Sequence, residues 1–225
     1  MKDNTSSYNS SVYDANITNV LPYYTEFHAQ VIDVAKTVAS EKKEKLKWLD
    51  TGCGTGTLAL RALGEISGIE FTLCDPSEGM LEIAKQKLIG KDIRFNAVAS
   101  DALSYQSEFD LVTAIQSHHY YDIKTREIAV KKCYEALKEG GIFMAFENIR
   151  MSAEESDAIA LKRWGRFLSD HGWTQEGVKA HQARRGTEMF PITIAEHLEI
   201  LKNAGFTTVD ILWVSYMQAG FWAVK

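Results

Sequence analysis

Carboxylates recur in this chain where apolar runs stop. Leu46-Lys47-Trp48-Leu49 ends in Asp50 and passes into Thr51-Gly52-Cys53-Gly54-Thr55-Gly56-Thr57. Asp75 closes the next apolar run, 19 residues past Gly56, and Asp101 follows a third. Glycines admit turns closed to other residues and let a ligand approach the backbone. The helical pattern beyond them supplies unpaired N–H groups and partial positive charge. Such a turn can hold a nucleotide-like ligand, with Asp75 spaced to accept from both ribose hydroxyls. A dinucleotide site would need its third glycine one residue later, in the pattern G-x-G-x-x-G. The Gly-Lys-Ser/Thr ending of a phosphate loop is missing too. Asp50, just ahead of the turn, would repel a pyrophosphate and attract an ammonium group. The expected ligand carries adenosine without phosphate.

A second set of reactive side chains follows the apolar run 109–115: Gln116-Ser117-His118-His119-Tyr120. Histidine titrates near neutrality and can take a proton from a nucleophile. Of the two, His119 is the favoured base and His118 the alternative. Adjacent histidines on a strand end point apart, and no Cys or carboxylate cluster completes four ligands, so no metal is expected. The three cysteines, Cys53, Cys74 and Cys133, form no C-x-x-C pair and fit a reduced, cytoplasmic protein.

These residues must be positioned by strands and helices, and the chain alternates accordingly. Strand patterns at 46–50, 69–74, 93–99, 109–115 and 142–146 are separated by helical patterns at 58–66, 77–88 and 124–138. That alternation predicts a parallel sheet with helices on both faces. Residues 150–192 break it with helical stretches carrying Trp164, Phe167, Leu168 and Trp173, read as an inserted cap whose tryptophans form its own core. A helix at 193–204 precedes two closing strands with so short a turn that they must form an antiparallel hairpin. Residues 1–11 read as a mobile tail, and 1–40 as tail plus lid helix, with Tyr8, Tyr13, Tyr23 and Tyr24 ahead of the first strand. With 225 residues, 45% of them hydrophobic, a single domain over 1–225 is expected. The net charge of -5 disfavours nucleic acid as a partner. No apolar run approaches a membrane span, and the N-terminus lacks the apolar core of a signal peptide.

Asp50-Thr51-Gly52-Cys53-Gly54-Thr55-Gly56, with Asp75 and Asp101 at the next two strand ends, resembles the class I S-adenosylmethionine-dependent methyltransferase family over roughly residues 47–146. The resemblance implies a Rossmann-like methyltransferase fold: a seven-stranded, mostly parallel sheet with an antiparallel C-terminal strand, the cap lying after strand 5. It also implies S-adenosylmethionine as cofactor and S-adenosylhomocysteine as product. Asp50, Gly52, Cys53 and Gly54 would line the methionine and ribose part, and Asp75 with Pro76 the ribose. Met80 would lie near the adenine, Asp101 and Ala102 on the adenine edge, and Gln116 by the methionine.

Leu21-Pro22-Tyr23-Tyr24, Ser117-His118-His119, Arg184-Arg185 and the C-terminal 201–225 resemble small-molecule methyltransferases and, more loosely, carboxy-S-adenosylmethionine synthases. In those synthases a cap arginine and an N-terminal tyrosine engage a carboxylate on the cofactor, places comparable to Arg184, Arg185 and Tyr24. Tyr13, Tyr23, Arg184 and Arg185 are therefore expected at the substrate. No Asn/Asp-Pro-Pro-Tyr/Phe or Pro-Cys motif points to nucleic-acid methylation, and Gln116 replaces the acid of a magnesium site.

The leading expectation is methyl transfer to a small molecule, by a chain that can form a homodimer. A carboxy-cofactor synthase is the alternative, followed by a non-catalytic cofactor-binding protein and, distantly, a nicotinamide-dependent dehydrogenase.

Overall fold

The computed structural model describes residues 10–225, and the expected tail, with Tyr8, falls largely outside them. Seven strands, β1 Leu46–Thr51, β2 Ile69–Cys74, β3 Ile93–Asn96, β4 Phe109–Ile115, β5 Leu137–Asn148, β6 Thr208–Ser215 and β7 Gln218–Val224, form one sheet in the order β3-β2-β1-β4-β5-β7-β6. The first five are parallel, and β7 runs antiparallel to both β5 and β6. Strand order therefore reverses between β1 and β4, where the chain leaves both strands at their carboxyl ends and opens a crevice. Asp50 and Gln116 stand at its two sides.

Helices α1 Ser10–Val20, α2 Tyr24–Ser40, α3 Thr57–Glu65, α4 Glu78–Lys87 and α5 Ile123–Ala136 precede or cross between these strands; α6 Glu154–Asp170, α7 Gln175–Gln182 and α8 Ile194–Ala204 follow β5. One face of the sheet is covered by a core of Phe27, Val31, Ile32 and Ala35 from α2 with Leu58, Ala59 and Ala62 from α3. The other packs on Val130, Cys133 and Ala136 from α5 with Ile200, Leu201 and Ala204 from α8. Burial of such side chains at about 25 cal/mol per Å² is the main favourable term. The helix starts are fixed by capping: Ser77 Oγ accepts from Met80 N at 3.1 Å, and Thr193 with Glu196 completes a reciprocal capping box.

Three local expectations need correction. Residues 10–20 form a helix, α1, despite their weak periodicity. Its Ile17 and Val20, with Leu21, meet Ala160, Trp164 and Leu168 of α6 in a third, smaller core, and Trp164 Nε1 donates to Val20 O at 2.9 Å. Tertiary packing thus supplies what local sequence lacks. Strand β3 ends at Asn96 rather than residue 99, because Val98 N turns back to Asn96 O. Helix α5 stops at Ala136, not at Gly140-Gly141, since Leu137 is already extended and pairs with Phe109. The helical insertion at 150–192 is present as α6 and α7, and the closing hairpin turns at Tyr216-Met217.

Among the imidazoles packed into these interiors are His28, His118, His181 and His197, each under 8% exposed. Burial lowers the first three to about 4 and His197 to about 3. Asp50 opposes them, its pKa raised to about 7 by burial. Between pH 6.5 and 4 the unfolded imidazoles take up protons that the folded ones refuse, whereas Asp50 holds a proton when folded that it loses when unfolded. The four outweigh the one, so the unfolded state binds more protons and stability is lost as the pH is lowered. Urea unfolding should show a loss of at least about 1 kcal/mol per pH unit, one net proton's worth, as pH falls from 6.5 toward 4.

Candidate functional site

The turn after β1 is left-handed at each of its glycines: Gly52, Gly54 and Gly56 have φ of 67°, 54° and 73°. A side chain at Gly52 would strike Ser117 Cβ, so this glycine lets the ends of β1 and β4 approach. At Gly54 a Cβ would meet nothing within 4 Å, leaving the backbone open to a ligand. Asp75 joins the two strand ends: Oδ2 accepts from Gly54 N at 2.9 Å, and Oδ1 from Ser77 N at 2.9 Å. Asp50 lies beneath, 2% exposed, and accepts from Thr113 Oγ1 at 2.7 Å. Burial, and then the charge of Asp75, raise its pKa to about 7.

A narrow cavity is lined by this turn with Tyr13, Tyr24, His28, Asp50 and Ile115. Its lining includes no Lys or Arg. Helix α1 closes over it. Asp14 accepts from Thr55 Oγ1 at 2.7 Å and Thr57 Oγ1 at 3.1 Å and pairs with Lys87. A carboxylate of the chain itself thus occupies the N-terminal end of α3, where a phosphate would otherwise bind. Burial notwithstanding, the bond to Lys87 and those to the threonines keep Asp14 below the usual carboxylate range. Burial raises the Cys53 thiol well above its ordinary pKa and Cys74 to about 11, so neither is an activated nucleophile.

Farther along the crevice, Gln116 adopts φ 56°, donates its N–H to Phe146 O at 2.6 Å, and bonds through Nε2 to Gln218 Oε1 at 2.8 Å. The single 3₁₀ turn His118–Tyr120 then packs on the end of β5. Glu147, 1% exposed, accepts from the backbone N–H of His118 and His119 at 3.1 and 2.8 Å and lies 2.9 Å from His119 Nδ1. Burial alone would neutralise this carboxyl, but the bond to His119 overrides it and lowers the pKa to about 2. Asn148 N also approaches Nδ1, at 3.5 Å. The shorter contact with a carboxylate decides the tautomer: Nδ1 carries the proton, and Nε2 keeps its lone pair.

His119 faces a cleft beneath α1 with Tyr13, Gln116 and Tyr120. His118 does not. Its ring stacks on Phe143 and lines a separate rear cavity with Arg126, Glu147 and His197, because successive residues on the 3₁₀ turn point apart. The expectation of His118 at the mouth is therefore corrected. Tyr23 is half exposed, with its ring against Trp213 and Tyr216, outside both cavities. Arg184 pairs with Glu188 at 2.8 Å. Arg185 bonds Asn148 Oδ1 at 2.8 Å and both oxygens of Asp157 at 3.3 Å. Both arginines are thus engaged by the protein's own acids rather than extended toward a substrate.

Met80 is buried on α4, Pro76 is exposed beside Asp75, and Asp101 and Ala102 lie on the 3₁₀ turn Ser100–Ala102 after β3. Glu147, Asn148 and Asp14 were missed by the sequence reading. The first two stand at the end of β5, where the rule that singled out Asp50 and Asp75 also applies; nothing local marked Asp14. Among the described residues no group of three or more His, Cys, Asp or Glu is placed to hold a metal ion. No helix there is long and apolar enough to cross a membrane.

The chain resembles known proteins in ways that agree with this geometry. Residues 49–143 match the model of a methyltransferase domain. The carboxy-S-adenosyl-L-methionine synthase of Nautilia profundicola is 26% identical over 217 residues, covering 96% of this chain and 92% of the relative. The CurJ carbon methyltransferase shares the fold with a TM-score of 0.71 at 15% identity, over 95% of this chain and 58% of its own. Magnesium protoporphyrin IX methyltransferase from Synechocystis, solved with bound SAH, aligns with a TM-score of 0.60 at 18% identity, over 88% and 83%. Glycine turn, strand-end acids and sheet order are those of a Rossmann-like methyltransferase fold, and residues 49–143 match a methyltransferase domain within it.

Proposed function

We propose that the protein binds S-adenosylmethionine and catalyses transfer of its methyl group to a small-molecule acceptor. The observation that carries this reading is the acidic crevice at the strand-order reversal, with Asp75 bonded to Gly54 N–H above the buried Asp50 and no lining cation. These residues fit a sulfonium nucleoside. Asp75 would take the ribose hydroxyls, Asp50 the ammonium group, the Gly52–Gly54 backbone the methionine part, and Tyr24 and Gln116 would border it. Met80, Asp101 and Ala102 would flank the adenine, with Pro76 beside the ribose. When bound, the sulfonium supplies an electrophilic methyl group, so the chain's task is to align the nucleophile and remove its proton. His119 is the base: Glu147 holds its Nδ1 proton and favours the imidazolium formed at Nε2. The three free cysteines support a cytoplasmic setting.

Calorimetry with S-adenosylmethionine should give micromolar-range binding, weakened at least about tenfold in Asp75→Ala, the equivalent of about 1.4 kcal/mol. Binding unchanged by that substitution would overturn the assignment. Affinity should also depend on pH. Free Asp50 is half protonated near pH 7, and pairing with an ammonium group requires the carboxylate. Affinity should therefore rise as pH increases toward 7 and fall above about 8, where an α-ammonium loses its own proton. Buffers of differing ionisation enthalpy should report proton release near pH 6.5.

Carboxylation of the cofactor is a second reading, favoured by the near full-length similarity to carboxy-S-adenosyl-L-methionine synthases. Mass spectrometry of the nucleoside that co-purifies discriminates the two: methyl transfer predicts S-adenosylmethionine or S-adenosylhomocysteine, the alternative a heavier, carboxylated sulfonium.

A further inference from the structure

Three polar atoms converge on the cleft beneath α1 without hydrogen-bond partners. Asn148 Nδ2 and His181 Nε2 are buried and unpaired, their residues 1% and 4% exposed. His119 Nε2 is the third, its ring bonding through Nδ1 to Glu147. All three residues line one narrow cleft whose apolar walls include Ile17, Leu21 and Met189. A buried polar group left unsatisfied costs about 1–3 kcal/mol, so Asn148 and His181 call for a water or a ligand group that the chain itself does not supply.

Asn148 cannot relieve the mismatch by turning over. Its Oδ1 accepts from Arg185 Nη1 at 2.8 Å, and Arg185 is held in turn by Asp157. Exchanging the two ends of the amide would set an NH₂ group against a guanidinium, donor against donor. Asn148 therefore offers only hydrogen atoms to the cleft. His119 offers only a lone pair, because Glu147 fixes its proton on Nδ1. The His181 ring sits edge-on to Trp164 and Trp173, with centroids at 4.9 and 5.4 Å, and burial keeps it neutral, its pKa lowered to about 4.

We propose that His119, Asn148 and His181 form the acceptor subsite, and that it takes a neutral hydroxyl oxygen on an apolar carbon skeleton. This rests on the methyl-transfer reading and names its substrate class. The atom must donate one hydrogen to His119 Nε2, accept one from Asn148 Nδ2, and keep a lone pair for attack. A hydroxyl oxygen has one hydrogen and two lone pairs, which meets all three demands. A neutral amine has a single lone pair, so accepting from Asn148 would silence it. A carboxylate brings no hydrogen for His119, sits near the Glu147 charge, and finds Arg184 and Arg185 already paired with Glu188 and Asp157. His181 Nε2 reaches a second polar group of the same molecule.

The step balances. The hydroxyl oxygen forms the new bond to the methyl carbon, and the S–CH₃ electron pair stays on sulfur, leaving a neutral thioether. The hydroxyl proton passes to His119 Nε2, whose imidazolium now carries the positive charge lost by the sulfonium. Arg185 touches none of the reacting atoms; it is a positioning residue acting through Asn148.

The test compares the whole protein with Asn148→Asp, which keeps the size of the side chain and an oxygen for Arg185 but removes the NH₂ donor. Phenol and benzoate serve as probes, titrated by ligand-observed NMR with and without saturating S-adenosylhomocysteine, whose own affinity is measured by calorimetry. The expected result is that phenol binds the wild-type protein more tightly than benzoate. It should bind Asn148→Asp at least about tenfold more weakly, while S-adenosylhomocysteine binds both proteins alike. No detectable phenol binding, tighter binding of benzoate, or phenol affinity unchanged in Asn148→Asp would each overturn the subsite. Failure to bind S-adenosylhomocysteine would instead overturn the cofactor reading, and the phenol comparison in the free protein still decides the subsite.

Discussion

A carboxylate sealed inside a protein must be matched by donors or it will not stay ionised. Glu147, 1% exposed, is matched by the N–H groups of His118 and His119 and by the His119 ring. That one requirement ties the end of β4 to the end of β5 and fixes the tautomer of His119. Arg126 extends the tie. Also buried, it donates to His118 O, Tyr121 O and Phe190 O, while Phe190 N donates to His119 O. The returning end of the cap is thereby fastened to the same turn. Losing Glu147 would leave backbone donors unpaired and the imidazole free to rotate, so the effect would reach well beyond one ion pair.

The other half of the crevice rests on an opposite solution to the same problem. Asp50 is as deeply buried as Glu147 but has a single hydroxyl donor, from Thr113, and a second carboxylate nearby. Its pKa rises where that of Glu147 falls. One acid is a permanent charge that orients a base, and the other is poised to ionise when a cation arrives. Pairs of titratable groups pushed in opposite directions are a mark of functional sites. Between them lies Gln116, in a left-handed conformation that few non-glycine residues adopt, held by Phe146 O and Gln218. Backbone strain of this kind persists only where the surroundings impose it.

Helix α1 belongs to both halves. Asp14 latches it to the start of α3, while Ile17 and Leu21 wall the cleft that His119 faces. The same Ile17 and Leu21, with Val20, pack on Trp164 of the cap. Ligand entry on either side of Gln116 therefore involves the same element, and the small cap core sets how firmly it closes.

The alternation of apolar runs and helical patterns was enough to establish the parallel sheet, the inserted cap and the closing hairpin, because strand and helix periodicities are local properties. The glycine turn and the acids at the strand ends were legible for the same reason: a turn's chemistry is written in adjacent residues. Tertiary structure alone decided the rest. Asp14 reaches Thr55 across 41 positions and Arg185 reaches Asn148 across 37; no local pattern encodes such pairings. His118 and His119 are neighbours in sequence, yet a single 3₁₀ turn sends one to a rear cavity and the other to the cleft. The sequence determined that a glycine turn and acids stand at the strand ends. Burial and long-range hydrogen bonding decided which side chains are committed to the protein and which remain open to a ligand, because those depend on neighbours brought together only by folding.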